Sequence, residues 1–559
     1  MELHLHPRLL AGASGLALLA TLFVWPGRTA PRTGAQRVIV IREVKHGISP
    51  PLRTMANAPA TRWAQAVDDD DEPAAGRAAG DAVARLVDPV RQATAGPALV
   101  TLPGMNLVGL GRGFTGPGGS HAIYGVPPDP NSAVGDTQIV ETVNLSLAVL
   151  DKTTGQPVKG PLFIGELWKN FDSNCTNGAS MADPVVLYDK QAARWAIKMG
   201  TLGTPYYTCM AVSETSDATG AYYLYDYEFQ AEGNLTGQKM ATWLDGYYLS
   251  TYINVNSVYV GPSACVLDRS QMLIGQAATM QCVQLDNTHL DGMVPSNMDG
   301  PTAPPAGSPN YYLLEGPRGT NALLLYLFHV DFVTPANTQL YGPVKIDVAA
   351  YTAAGQVPQY GTSQLLHTNS TSMMMPVQYR NFANATPPYE TLVTSHCVLT
   401  GTGSATGTGM RWYELRGPLT APVVYQQGTY APDSNYRWMG SAAMDGLGDI
   451  ALGYSLSTTT AYPSVLYTGR VPSDPLGTME AEATIFNGSG NQSDSDRWGD
   501  YTSMSVDPSD DCTMWYTGQY LTGTGSNTWA TRLFQFQFPG CKQAPAAKRS
   551  RAGGAMRRP

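Results

Sequence analysis

From Ala98 to Cys541 short apolar runs alternate with clusters of Gly, Pro, Asn and Asp. Ile139 to Leu150 reads as a strand running into the turn Asp151-Lys152-Thr153-Thr154-Gly155. Asp183 to Asp189 and Arg194 to Ile197 form a strand, a polar turn and a strand. Trp243-Leu244-Asp245-Gly246 repeats the motif with an Asp-Gly turn signal, and Ala442 to Ser455 and Met504 to Thr517 are further strand-turn-strand units. Met410 to Arg416 alternates as a strand does. The units recur at roughly fifty to seventy residues, the spacing of propeller blades that bury their faces only by stacking. The pattern therefore predicts an all-β fold, a six- or seven-bladed β-propeller with seven favoured. A two-sheet sandwich would explain the strands but not the recurring Asp-turn-aromatic units.

The flanks differ. Residues 1–30 read as a signal peptide or anchor: a weakly basic start, an apolar run from Leu9 to Trp25, then Pro26-Gly27. Residues 31–97 are rich in Ala, Pro and Asp and contain the block Asp68 to Glu72, so a disordered linker or spacer is expected, with a short helix over Asp81 to Val87. Residues 98–541 are the propeller domain, and 542–559 a disordered basic tail.

Composition agrees. Of 559 residues, 43% are hydrophobic and only 14% charged, with 58 Gly, 41 Pro and 30 Tyr, as turn-rich β structure requires. The formal net charge of -9, with no basic stripe in the folded part, argues against nucleic acid as a partner. Export makes the seven cysteines disulfide candidates. Nearness in sequence suggests Cys265–Cys282, Cys512–Cys541 and Cys175–Cys209, leaving Cys397 free. The sequence expects a secreted protein, extracellular or periplasmic, held to a membrane only by an uncleaved anchor.

Ser505, Asp507, Thr513 and Trp515 resemble a loosened Asp-box, the turn motif of sialidase-type propellers. In that family it clasps the turn between a blade's outer strands. Here the loop is longer, and Ser509 stands where Gly is usual. More widely, Pro127 to Asn131, Arg411 to Arg416, Tyr436 to Gly440 and Arg497 to Tyr501 resemble a group of uncharacterised secreted bacterial proteins. The resemblance implies export and a propeller, and names no substrate.

Arginines beside aromatics carry the most suggestive chemistry, because a guanidinium grips a carboxylate at two points and stacks on rings. The sialidase likeness implies an arginine triad, supplied here by Arg411, Arg437 and Arg497. It implies a Tyr501 nucleophile assisted by Glu414, and Asp183 or Asp245 as the acid. Arg416, Trp438 and Asp500 join the ligand-binding candidates. The plainer reading pairs each arginine with a nearby acid to tie blades together, and buries the tryptophans in blade packing. The Asp299 to Gly307 loop is a lid over the axis or a stiff connection. Histidine spacings support neither zinc nor a Ser-His-Asp triad. No cofactor is implied, although Asp507, Asp510 and Asp511 would suit a structural calcium ion. Two functions follow: a propeller binding an extracellular glycan or cell-surface ligand without a complete catalytic motif, and a sialidase-like glycoside hydrolase.

Overall fold

The computed structural model describes residues 37–57, 86–171, 175, 181–201, 205–229, 234–255, 258–286, 292–317, 319–370, 372–401 and 406–541. The expected signal segment 1–30, the acidic block Asp68 to Glu72, residues 81–85 of the expected helix and the tail 542–559 lie outside them. Among the described residues, no helix is long and apolar enough to cross a membrane.

Many strands are buried on both faces and read as continuous apolar runs; Ala322–His329 buries seven of its eight residues. Their pairings resolve into seven consecutive four-stranded antiparallel runs among the described residues, numbered here blades 1 to 7. The innermost strands are Asn131–Val134, Met181–Asp189, Asn234–Thr242, Val294–Met298, Val377–Phe382, Tyr436–Met444 and Ser503–Val506. Blade 7 returns to pack on blade 1, where Ser132 N–H donates to Ser503 Oγ at 3.0 Å and Ser132 Oγ lies 2.6 Å from Thr517 Oγ1. The fold is an all-β propeller. Between blades the core is aromatic: Tyr312 of blade 4 donates its hydroxyl to blade 3, with Leu249 O at 2.8 Å.

The fourth strand of blade 7 comes from the other end of the chain. Leu102–Gly111 pairs antiparallel with Trp529–Gln537 and completes the ring.

Residues 31–97 depart from the expected linker in two places. Val38–Ile48 is a strand inserted between Tyr222–Phe229 of blade 2 and Thr279–Gln284 of blade 3, joining their outer edges into one nine-stranded sheet. Its β-branched residues, Val38, Ile39, Val40, Ile41, Val44 and Ile48, suit a pleated surface better than a spacer. Arg91–Gln92 pairs in parallel with Thr429–Tyr430 of blade 5. Leu86 and Val87, the end of the expected helix, are not helical.

The Asp-turn units have a mechanical role. Each Asp ends an innermost strand, and several reach another blade. Asp189 of blade 2 accepts Arg269 Nε and Nη2 of blade 3 at 2.6 and 3.0 Å, together with the Tyr247 hydroxyl at 3.0 Å. Asp299 of blade 4 meets Lys190 of blade 2, and Asp507 of blade 7 meets Lys152 of blade 1 at 2.8 Å. The turn from Asp507 to Thr513 joins the innermost strand of blade 7 to the second strand, not the two outer strands as in the Asp-box. The Asp299 to Gly307 loop sits at the same finishing end, where Asn381 Nδ2 donates to Ala303 O at 2.7 Å. The segment that crosses the opposite, starting end is residues 348–376. It hydrogen-bonds blade 3 through Ser372 and Tyr252, blade 6 through Pro358 and Ser457, and blade 7 through Asn369 and Asp500.

Three disulfides occur among the described residues: Cys175–Cys209, Cys265–Cys282 and Cys512–Cys541. Cys397 is buried and free.

Candidate functional site

Two of the sequence candidates meet at the starting end of the innermost strands. The Tyr501 hydroxyl donates to Asp183 Oδ1, and Lys239 Nζ stands 3.4 Å above the centre of the Tyr501 ring. Lys198, fully buried, donates to the backbone oxygen of Asp183 at 3.1 Å. Burial pulls its ammonium down to about 7, against the nearby Asp183, which raises it. Burial also holds the Tyr501 phenol well above its ordinary range, and the charge of Asp183 pushes the same way.

Asp500 adjoins this pair. Its carboxylate takes Arg497 Nη2 on one oxygen and Asn369 Nδ2 on the other, the latter at 2.8 Å. The Gly499 carbonyl accepts Asp129 N–H at 3.0 Å. The backbone here is unusual. Asp129, Asp183, Asn369, Met439 and Asp500 have φ between +45° and +66°, and Gly499 has φ +65°. Asp and Asn tolerate that region through their short polar side chains, whereas Met439 carries a cost of about 1–2 kcal/mol. At Gly499 a Cβ would come within 2.8 Å of Met439 Cγ, which requires glycine between Trp498 and Asp500. Strain of this kind persists only where the surroundings over-determine it.

Among the described residues a small cavity lies between the innermost strands. It measures about 50 Å³ and is lined by Asn131, Ala133, Met240, Asn297, Gln378 and Ser503, among others. Pockets for small ligands run from about 300 Å³ upward, so this space suits a few waters.

The other candidates go elsewhere. Arg411 is fully buried, pairs with Asp88 at 2.8 Å and donates to Thr429 Oγ1 at 2.5 Å. Arg437 forks onto Asp433 and Glu482 at 2.6–3.1 Å. The three arginines of the expected triad thus each hold a different acid. Glu414 is not joined to Tyr501; its carboxylate takes Arg416 Nε at 2.7 Å and Gln426 Nε2 at 2.6 Å, in blade 5. Asp245 lies past the finishing end of its strand, accepting the Tyr248 hydroxyl at 3.0 Å, at the opposite end of the blade from Lys239. Trp438 is buried against Trp498 at 5.8 Å and offers no face to a ligand.

The acids suited to calcium are also engaged. Asp507 holds Lys152, Asp510 accepts the Thr513 hydroxyl and N–H, and Asp511 forks onto Arg380. Among the described residues, no group of three or more His, Cys, Asp or Glu side chains is placed to hold a metal.

Lys198, Lys239 and Asp129 were not candidates from sequence. The available signal was the dipeptide Asp-Pro, at Asp129-Pro130 and Asp183-Pro184, which precedes or opens two adjacent innermost strands.

No protein-family model and no curated protein matches the chain. Among solved structures it is similar to the BP39L lectin from Burkholderia pseudomallei, at 9% identity and TM-score 0.36, covering 75% of this chain and 98% of the lectin. It is similar to the WD40 domain of SCAP from fission yeast, at 8% identity and TM-score 0.30, over 72% and 82% of the two chains. It is also similar to the Hadza microbial sialidase Hz136, at 9% identity and TM-score 0.28, over 71% and 73%. Likeness at this level speaks to neither ligand nor reaction.

Proposed function

We propose that this chain is an exported β-propeller that binds a glycan or another cell-surface ligand without hydrolysing it. The observation that carries the reading is the fate of the arginines: Arg411 is spent on Asp88, Arg437 on Asp433 and Glu482, and Arg497 on Asp500. An arginine triad must present its donors together, and these three each hold an acid of their own in a different place. Tyr501 is only 2% exposed and keeps its own proton, which it donates to Asp183, an arrangement that does not suit an attacking phenolate. Three disulfides fit an oxidising compartment.

The Tyr501–Asp183 contact favours one second reading, a hydrolase in which Asp183 rather than Glu414 assists the tyrosine. A glycan array probed with the full chain, followed by a sugar-release assay on every glycan retained, separates the two. Retention without release is expected. Release that is abolished in Tyr501→Phe would replace binding with hydrolysis.

A further inference from the structure

The finishing end of blade 5 carries an aromatic stack that ends in solvent. Phe382 stacks on Tyr389 with centroids 4.7 Å apart and planes at 20°. Arg416 Cζ lies 3.9 Å from the Tyr389 centroid and 3.3 Å from that of Tyr425, so its guanidinium is clasped between two rings. Backbone register places Tyr425 there. Glu414 faces Gln426 and Leu415 faces Val424, which leaves Tyr425 as a bulged residue without a partner. A bulge re-aims a side chain. It lies on the edge strand Val423–Tyr430, whose other side is paired only at Thr429 and Tyr430. Tyr425 is 40% exposed although one ring face rests on Arg416.

Polar groups flank the ring. Only Nε of Arg416 is bonded, to Glu414, so among the described residues both Nη groups are left for a ligand. The local cations have their own acceptors. Arg416 sits on Glu414, Arg380 on Asp511, and Arg470 donates to the backbone oxygens of Thr478 and Asp474 at 3.2 and 2.8 Å. Arg416 and Arg380 each face a carboxylate, and Asp474, Glu414 and Asp449 act electrostatically on Arg470, so acids offset the positive charge that an anionic sugar would seek.

We propose that the outer face of Tyr425 is the platform for a neutral pyranose, whose C–H face stacks on the ring while its hydroxyls accept from the Arg416 Nη groups. This rests on the binding reading above and moves the contact from the axis to the rim of blade 5. The clasp removes the usual cost of ordering the side chains, because Arg416 and Tyr425 already hold each other. A sugar there meets a rigid ring and a planar donor at its edge.

The test is a binding assay on the full chain against immobilised neutral glucan, galactan and mannan oligosaccharides, with sialyl-lactose in parallel. The variants are Tyr425→Ala, Arg416→Ala and, as an exposed tyrosine remote from the stack, Tyr360→Ala. Tyr425→Ala and Arg416→Ala are expected to weaken neutral-glycan binding at least ten-fold, and Tyr360→Ala to leave it unchanged. Undiminished binding by Tyr425→Ala would overturn the platform while leaving the binding reading intact. Preference for sialyl-lactose would overturn the neutral class. Failure of the wild-type chain to retain any glycan would overturn the binding reading itself, and the platform with it.

Discussion

The carboxyl of Glu141 accepts the backbone N–H of Leu110 at 2.7 Å, although the two residues belong to opposite sides of the ring's seam. Glu141 is in the second strand of blade 1, and Leu110 in the strand that completes blade 7. Glu141 also meets Thr531 Oγ1, while Thr531 lies 2.9 Å from Leu110 O. The Thr531 hydroxyl has one proton. If it goes to Leu110 O, Glu141 must bring its own.

Glu141 is therefore expected to make stability depend on pH. Burial pushes its carboxyl up from 4.5 to about 7, with Thr531 and the Leu110 amide opposing. In the folded chain it holds a proton that the unfolded chain releases. Its contribution is fully present below about pH 4.5 and is lost as pH rises through about 7, a change of about 3 kcal/mol. Thermal unfolding at pH 5 and pH 8 should show a smaller fall for Glu141→Gln than for the wild type. Equal falls would mean that the carboxyl is ionised in the fold.

Gly109 should be irreplaceable for a neighbouring reason. A Cβ there would lie 2.6 and 2.7 Å from the two Glu141 oxygens and would collide with Thr531 Oγ1. Gly109→Ala should cost about 1–3 kcal/mol, read as a lower denaturation midpoint. A wild-type midpoint would show that the seam can spread.

Arg411 and Asp88 form a buried pair that anchors residues 86–97 to blade 5, so removing one partner strands the other. Arg411→Ala is expected to cost about 3–5 kcal/mol. It should also open residues 86–97 to limited proteolysis. If cleavage there does not increase, the segment is held by Arg91 and Gln92 instead, through their bonds to Ala431 O and Met479 O.

Cys265 and Cys282 lie directly opposite on neighbouring strands of blade 3, 17 residues apart in sequence. Replacing both with Ala should lower stability by about 3 kcal/mol in non-reducing buffer. Under reductant the difference should vanish, and a persisting gap would mean that the loss comes from packing.

The repeat and its turns were legible because each Asp-turn-aromatic unit is local: Asp189, Asp245, Asp299, Asp445 and Asp507 all end an innermost strand. The disulfide pairs were legible for the same reason. The inserted strand was hidden by its surroundings, since Val38–Ile48 pairs with partners about 180 and 240 residues away and its neighbours are rich in Ala and Pro. The arginines were rightly seen as carboxylate partners, but which carboxylate each meets is set by blade geometry. Arg411 finds Asp88, far back in a stretch expected to be a spacer. Tyr425 was passed over because only the register slip between Glu414 and Leu415 turns it onto Arg416.

The pairing of Leu102–Gly111 with Trp529–Gln537 sets an order of events. A chain made from its N-terminus presents Leu102–Gly111 long before Trp529–Gln537. Throughout synthesis Leu102–Gly111 is a bare β-edge waiting for its partner, and the six completed blades have no closed ring to share. A chain stopped even a dozen residues before Trp529 would retain nearly every blade and still be an open spiral with two sticky ends. Closure of the ring therefore waits until Trp529–Gln537 has been made.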